Sequence, residues 1–203
     1  MKKLRSLIAI VLVLVLLFSF TGCGEVQKAE ASVNSMFKAF LYMEFDEARK
    51  YVNVDDIIDD AEDELTDEYS QVLLESIFSN LNYEIISSEK IDSNTVMVKT
   101  KITATDMVPV LRDYMTQAFQ YAFSVAFSYP QPSEEETQQK MLDMLKEIVS
   151  QPELATVTNE VDLKVVKTES KEWKIESDDA FGNAITGGLL DAVEQLNSSL
   201  SEY

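Results

Sequence analysis

The sequence predicts an α+β domain: helices packed on a curved four-stranded antiparallel sheet, with an inserted helical hairpin and a C-terminal helix. Three observations predict it. Apolar residues recur at helical spacing over five or six stretches, they recur at every second residue over two paired stretches, and capping residues and prolines separate the two regimes. Helix should exceed strand.

The first helix is expected from Glu25, with Val26, Ala29, Val33, Phe37, Phe40 and Leu41 on one face. A break at Glu44-Phe45-Asp46 leads to a second, small helix carrying Ala48, Tyr51 and Val52. A third is expected from Asp55 to about Asn80, with Ile57, Ile58, Ala61, Leu65, Tyr69, Val72, Leu73, Ile77 and Phe78 on one stripe. The period then changes to two. Leu81, Tyr83 and Ile85 begin a strand, Asp92-Ser93-Asn94 turns the chain, and Val96, Val98, Thr100 and Ile102 face inward on the return strand.

Asp106 is placed to cap the next helix, with Pro109 in its first turn, where the missing amide proton is not needed. That helix runs to about Ser128 and is stopped by Pro130 and Pro132. Ser133 and Glu136 form a capping box for a helix to Ser150, apolar at Met141, Leu145, Ile148 and Val149. After Pro152 the two-residue period returns, with Val157, Val161, Leu163 and Val165 inward and Glu160, Asp162 and Lys164 outward. Lys171-Glu172 lies near a turn, and Trp173 and Ile175 mark a last strand. Asp178 or Asp179 caps a terminal helix through Phe181, Ile185, Leu189, Val193 and Leu196, with a bend or a close helix contact at Gly187-Gly188.

The amino terminus has a different character. Lys2, Lys3 and Arg5 precede an unbroken apolar run from Leu7 to Phe18. Twelve residues are short for a bilayer span of about 20 residues but suit the apolar region of a signal peptide. Phe20-Thr21-Gly22-Cys23 follows, and it resembles the lipobox of bacterial lipoproteins, with Phe20 where Leu is usual. The resemblance implies a diacylglycerol on the sulfur of Cys23 and cleavage just before it. Two acyl chains hold a protein stably to a membrane, whereas one does so marginally. An uncleaved signal anchor, or plain secretion with Cys23 a bystander, are the competing readings of the same leader.

On the lipoprotein reading the chain divides into a signal peptide at 1–22, a lipidated N-terminus and short tether at 23–27, and one domain at 28–203. Its location is the extracytoplasmic face of the cell membrane. Cys23 is the sole cysteine, so the exported part has no disulfide. Removing the leader, with its three basic residues, leaves 14 basic against 36 acidic side chains, a net charge of −22. A surface that acidic repels nucleic-acid phosphates and anionic lipid headgroups alike. The partners expected are the membrane, through the lipid, and a protein or apolar small molecule; nucleic acid is not.

The segment Val33, Phe37, Phe40 leading into Glu44-Phe45-Asp46-Glu47-Ala48-Arg49-Lys50-Tyr51-Val52, with Trp173-Lys174-Ile175 near the end, is similar to lipoprotein domains of the nuclear-transport-factor-2-like (cystatin-like) fold. The likeness spans about residues 26–105 and 153–178. It implies a long first helix, a small second one and a curled sheet ending at the Trp-Lys-Ile strand. The helices at 106–150 and the terminal helix are additions to that pattern. It implies no particular chemistry.

Chemistry is sparsely signalled. The chain has no histidine, which excludes histidine triads and the common zinc sites. No phosphate loop or dinucleotide fingerprint is present, so no cofactor is expected and no catalytic residue is assigned. Carboxylate-based catalysis is the one enzymatic alternative. The acidic stretch Asp55, Asp56, Asp59, Asp60, Glu62, Asp63, Glu64, Asp67, Glu68 lacks the alternation and turn glycine of a calcium loop and reads as a solvated face, not a metal site.

Two places are candidate binding surfaces. Thr100 and Asn159 fall in phase with apolar inward positions, with Tyr83 and Trp173 as aromatic neighbours. Together they would line a pocket on the concave face of the sheet, suited to an apolar small molecule; strand ends near water are the plainer placement for the two polar residues. The other is the uncharged stretch from Tyr114 to Tyr129, with Phe119, Tyr121, Phe123 and Phe127, apolar on nearly every side. The plainer expectation is burial between the sheet and the next helix; the sharper one is a pocket wall or partner-docking face.

Overall fold

The computed structural model describes residues 23–53 and 68–201. Seven helices and four strands follow in the order α1 (Cys23–Leu41), α2 (Phe45–Ala48), α3 (Glu68–Phe78), β1 (Asn82–Lys90), β2 (Thr95–Thr105), α4 (Met107–Ala126), α5 (Glu134–Val149), β3 (Thr156–Lys167), β4 (Trp173–Glu176), α6 (Asp179–Ile185) and α7 (Leu189–Ser201). The strands form one antiparallel sheet in chain order, β1-β2-β3-β4. The α4–α5 hairpin is inserted between β2 and β3, and helix outweighs strand, as the α+β reading requires.

Alternation sorts the two faces of the sheet. Val96, Val98, Thr100, Ile102 and Ala104 of β2 are sealed from solvent, with Val161, Leu163 and Val165 of β3 and Trp173 and Ile175 of β4 beside them. The opposite face is polar and wet. There Lys99 pairs with Glu160 at 3.0 Å, Lys164 with Glu176 at 2.6 Å, and the Thr103 and Thr158 hydroxyls meet at 2.8 Å.

Helix α1 covers the apolar face, running along β1. Its first turn is tied near the end of β1 by the Glu25–Lys90 ion pair, and three turns on Phe37 stacks on Tyr83 at 4.3 Å near the strand's start. An aromatic cluster fixes the rest: Phe181 edges onto Phe37 at 6.3 Å, and Phe78 stacks on Phe40 at 5.4 Å with Phe45 alongside. The expected core face needs one correction. Leu41 is exposed, while Met36 and Ala39 are buried, because the helix ends at Leu41 and the chain turns away through Met43 at φ 55°. Residues 23–27, expected as a tether, lie within α1.

The second helix is one turn long. Beyond it Val52 makes a parallel bridge to Ile175, closing the outer edge of β4 and taking Tyr51 and Val52 out of the helix they were expected to extend. The third helix is described from Glu68, and the acidic run from Asp55 to Asp67 lies outside the described residues. Asp106 and Asp178 cap α4 and α6 through bonds from Val108 N–H (3.2 Å) and Phe181 N–H (2.8 Å), and the Ser133–Glu136 capping box forms in both directions.

The terminal helix is two helices, not one bent one. Gly187 and Gly188 both take positive φ, 59° and 82°, and separate α6 from α7. A β-carbon on Gly187 would stand 1.7 Å from the carbonyl oxygen of Thr105, while its own carbonyl accepts from Met107 N–H at 3.0 Å. Backbone packed against backbone at the β2–α4 junction therefore demands glycine.

Candidate functional site

Four residues were expected to line a pocket on the sheet: Tyr83, Thr100, Asn159 and Trp173. The fold does not bring them together. Tyr83 and Asn159 flank Ile102 in one row across the sheet, and Thr100 lies in the next row, opposite Ile85 and Val161. Trp173 is opposite Lys167, eight residues along β3 from Asn159. At about 3.3 Å per residue that separation is about 26 Å.

Their environments differ as well. Thr100 is fully buried mid-strand, its hydroxyl donating to the Val98 carbonyl at 3.3 Å, so it is a satisfied core residue and not at a strand end. Asn159 is exposed. The Tyr83 hydroxyl donates to Asn34 Oδ1 at 2.8 Å, and partial burial holds its pKa above the ordinary tyrosine value. Helices α1, α3 and α6 fill the face where the pocket was expected.

The uncharged aromatic stretch begins within α4 and runs past its end, and the expectation of burial between sheet and helix is overturned. Only Met107 and Val110, in its first turn, are buried. From Tyr114 onward no side chain of α4 is sealed. Phe119, Phe123 and Phe127 recur at every fourth position and are 68%, 72% and 77% exposed; Tyr129 beyond them is fully exposed. Phe123 and Phe127 touch only edge to face, 5.0 Å between centroids. Phe119, Phe123 and Phe127, large aromatic rings exposed at helical spacing, make an apolar ridge of the kind that marks a binding face.

The reason lies at the hairpin's feet. Thr105 and Thr156 pair at one end of the sheet, so α4 leaves β2 and α5 returns to β3 at that end. Helix α5 buries Leu142, Met144, Leu145 and Ile148 while packing on both α3 and α4, with Ile148 in the core and Lys146 reaching Glu68 at 2.5 Å. Helix α4 packs on α5 and α7. Tyr114 still meets Tyr69 of α3 edge to face at 6.1 Å, but past it the ridge has no partner among the described residues. Beside the ridge runs a groove of about 580 Å³, lined on α4 by Met115, Ala118, Ala122 and Val125 and on α5 by Thr137 and Met141. The small alanine side chains leave the groove open.

Helical periodicity cannot separate a helix buried all round from one left uncovered, because both are apolar on every side. Polar Thr116, Gln117, Gln120 and Ser124 were the available signal that water reaches this helix.

Trp173 belongs to a different place. With Tyr51 and Ala31 it lines a second groove of about 580 Å³, between α1, the chain after α2 and the start of β4; Lys28, Arg49, Lys50 and Lys174 also line it. No carboxylate, lysine, arginine or tyrosine is buried among the described residues. Glu25, Glu47, Asp92 and Glu136 are each held below the usual carboxylate range. The leading cause is a hydrogen bond from Lys90, from Lys50, from Asn94 N–H and from Ser133 N–H respectively. No group of three potential metal ligands occurs among the described residues. Nor is any described helix long and apolar enough to cross a membrane.

No protein-family model matches the chain, and no curated protein matches its sequence. Among solved structures it is similar to a Bacillus subtilis chain described, provisionally, as a lipoprotein (ycdA), with 14% identity and a TM-score of 0.38. The similarity covers 66% of this chain, which spans 38% of the length of that one.

Proposed function

We propose that the protein is a lipid-anchored, non-catalytic lipoprotein that presents the aromatic ridge of α4 to a protein partner outside the membrane. The single observation that carries the reading is the unpartnered row Phe119, Phe123, Phe127 and Tyr129. The anchor rests on the basic start, the short apolar run and Thr21-Gly22-Cys23.

The arrangement of the two features supports it. Helix α1 begins at Cys23, beside the β1–β2 turn, whereas the hairpin stands at the Thr105 end of β2. Eleven residues of strand separate those ends, about 35 Å. An anchor at one pole thus holds the aromatic ridge off the bilayer and toward other proteins. The lowered pKa values of Glu25, Glu47, Asp92 and Glu136 support a non-catalytic role for those groups, since a general acid needs a raised pKa and burial or a like-charged neighbour to raise it.

The test is photo-crosslinking in intact cells, with a benzophenone side chain at position 123 and, as control, at Lys101 on the wet face of the sheet. A discrete adduct from position 123 and none from 101 is expected, competed away when Phe119 and Phe127 are changed to Ser. Identical patterns from both positions would overturn the assignment.

A further inference from the structure

The charge of the chain is not evenly spread, and its exception lies next to the anchor. Lys28, Arg49, Lys50 and Lys174 line one groove, with Glu172 as the single acid among the lining residues, in a chain with 36 acidic side chains. Two of these cations already hold acids, which leaves Lys28 and Lys174 to carry the groove's excess positive charge. Asp46 accepts from Arg49 at 3.3 Å, Glu47 from Lys50 and from Tyr51 hydroxyl, and Glu172 from Ser170 hydroxyl at 3.1 Å. Lys174 Nζ is turned toward the Arg49 carbonyl at 3.5 Å, which gathers the cationic groups from three elements.

Trp173 belongs to the groove's lining. Trp173 is 95% buried, and its indole Nε1–H is a buried donor with no acceptor among the described residues. That nitrogen is sealed from the groove, so the indole gives the groove a packed wall and not a contact to its occupant.

The groove is positioned for the bilayer surface. Lys28 is five residues into α1 from Cys23, about 7.5 Å along the helix axis. The headgroup layer of a bilayer is about 5–8 Å deep on each side. The β3–β4 turn that leads into Trp173 lies at this same pole, because Lys167 N–H donates to the Asn94 carbonyl in the β1–β2 turn at 2.8 Å. We propose that this groove binds the phosphate headgroup of an anionic phospholipid in the membrane that holds the protein, fixing how the body stands on the bilayer. The inference rests on the lipid-anchor reading, which alone puts Cys23 at the surface. It also revises what net charge implied: the acidic body is repelled by anionic lipid, and the basic groove makes the orientation with α1 downward the favoured one.

The test uses the full chain, purified in detergent from cell membranes and reconstituted into vesicles of phosphatidylcholine alone or mixed with phosphatidylglycerol. Lysines are labelled with a water-soluble amine-reactive ester and read by mass spectrometry. Phosphatidylglycerol is expected to protect Lys28, Lys50 and Lys174 by about fivefold each, the effect of one cation near an anionic surface, with Lys101 unchanged and the protection lost in high salt. A Lys28→Gln/Lys174→Gln variant is expected to abolish protection at Lys50. Equal labelling in both vesicles, protection that survives high salt, or the same protection from inorganic phosphate over pure phosphatidylcholine would overturn the proposal. Intact mass of the same sample reports the lipid on Cys23 separately. Were that lipid absent, the labelling would be repeated with chain added to preformed vesicles, where phosphatidylglycerol-dependent protection sustains the groove and its absence removes it.

Discussion

Gly187→Ala tests the junction that carries the α4 hairpin. The added methyl would sit 1.7 Å from the Thr105 oxygen, 2.8 Å from its carbonyl carbon and 3.3 Å from Met107 nitrogen. None of these is the end of a flexible side chain. Thr105 is fully buried, and its hydroxyl donates to the Ser76 carbonyl at 2.9 Å while accepting from Asn80 at 3.1 Å, so β2 cannot retreat without breaking its tie to α3. Positive φ costs a non-glycine residue about 1–2 kcal/mol. Displacing the Met107–Gly187 bond costs about 1 kcal/mol more, and overpacking typically adds about 1–3 kcal/mol. The expected loss is about 3–6 kcal/mol. With a urea slope of about 2 kcal/mol/M, the midpoint should fall by more than about 1 M. Gly188→Ala is the internal control. It has positive φ too, but its methyl would meet only Val108 Cγ2 at 3.2 Å, so about 1–2 kcal/mol is expected. Equal losses for the two variants in urea unfolding followed by circular dichroism would refute the account of the junction.

Other outcomes follow from the same structure. Phe119, Phe123 and Phe127 changed together to Ser should alter stability by less than about 1 kcal/mol, where three buried phenylalanines would cost about 3–5 kcal/mol each, and should reduce binding of an apolar fluorescent dye. A large loss of stability would mean the ridge is covered. Thr105→Val should cost about 0.5–1.5 kcal/mol in thermal unfolding, the share of one hydrogen bond, because the Ser79 hydroxyl still donates to the Ser76 carbonyl at 3.0 Å; an unchanged midpoint would count against that tie. Glu136 should titrate below an ordinary glutamate because it accepts from Ser133 N–H at 2.7 Å. A folded pKa below the unfolded one means its stabilising share is present above the unfolded value and fades as pH falls through the folded value. NMR titration checks this, and a Glu136 pKa at or above the free value would contradict the capping box.

Much of the fold was legible because local chemistry and tertiary packing agree there. The hairpin β1–β2, the inward row Val96, Val98, Thr100, Ile102, the caps at Asp106, Ser133 and Asp178, and the final Trp-Lys-Ile strand all follow from period and capping residues that packing leaves in place. The misses have tertiary causes. Gly187 carries no side chain from which a period could reveal that Thr105 presses against it. Asn159 is in phase with Val161, yet it lies toward the Thr156 end of β3, where the strand is open to solvent. Thr100 looked like a wet position but satisfies itself on its own strand, which lets it be buried. The basic groove was hidden because Lys28, Arg49, Lys50 and Lys174 are scattered through the chain, and only the α1–β4 contact and the Val52–Ile175 bridge gather them.

The account depends first on Cys23, and intact mass of the chain extracted from cell membranes tests it directly. The predicted species lacks residues 1–22 and carries a diacylglycerol on residue 23, and Cys23→Ser should abolish both changes. A membrane-extracted chain that retains Met1, or one with a free thiol at Cys23, would contradict it.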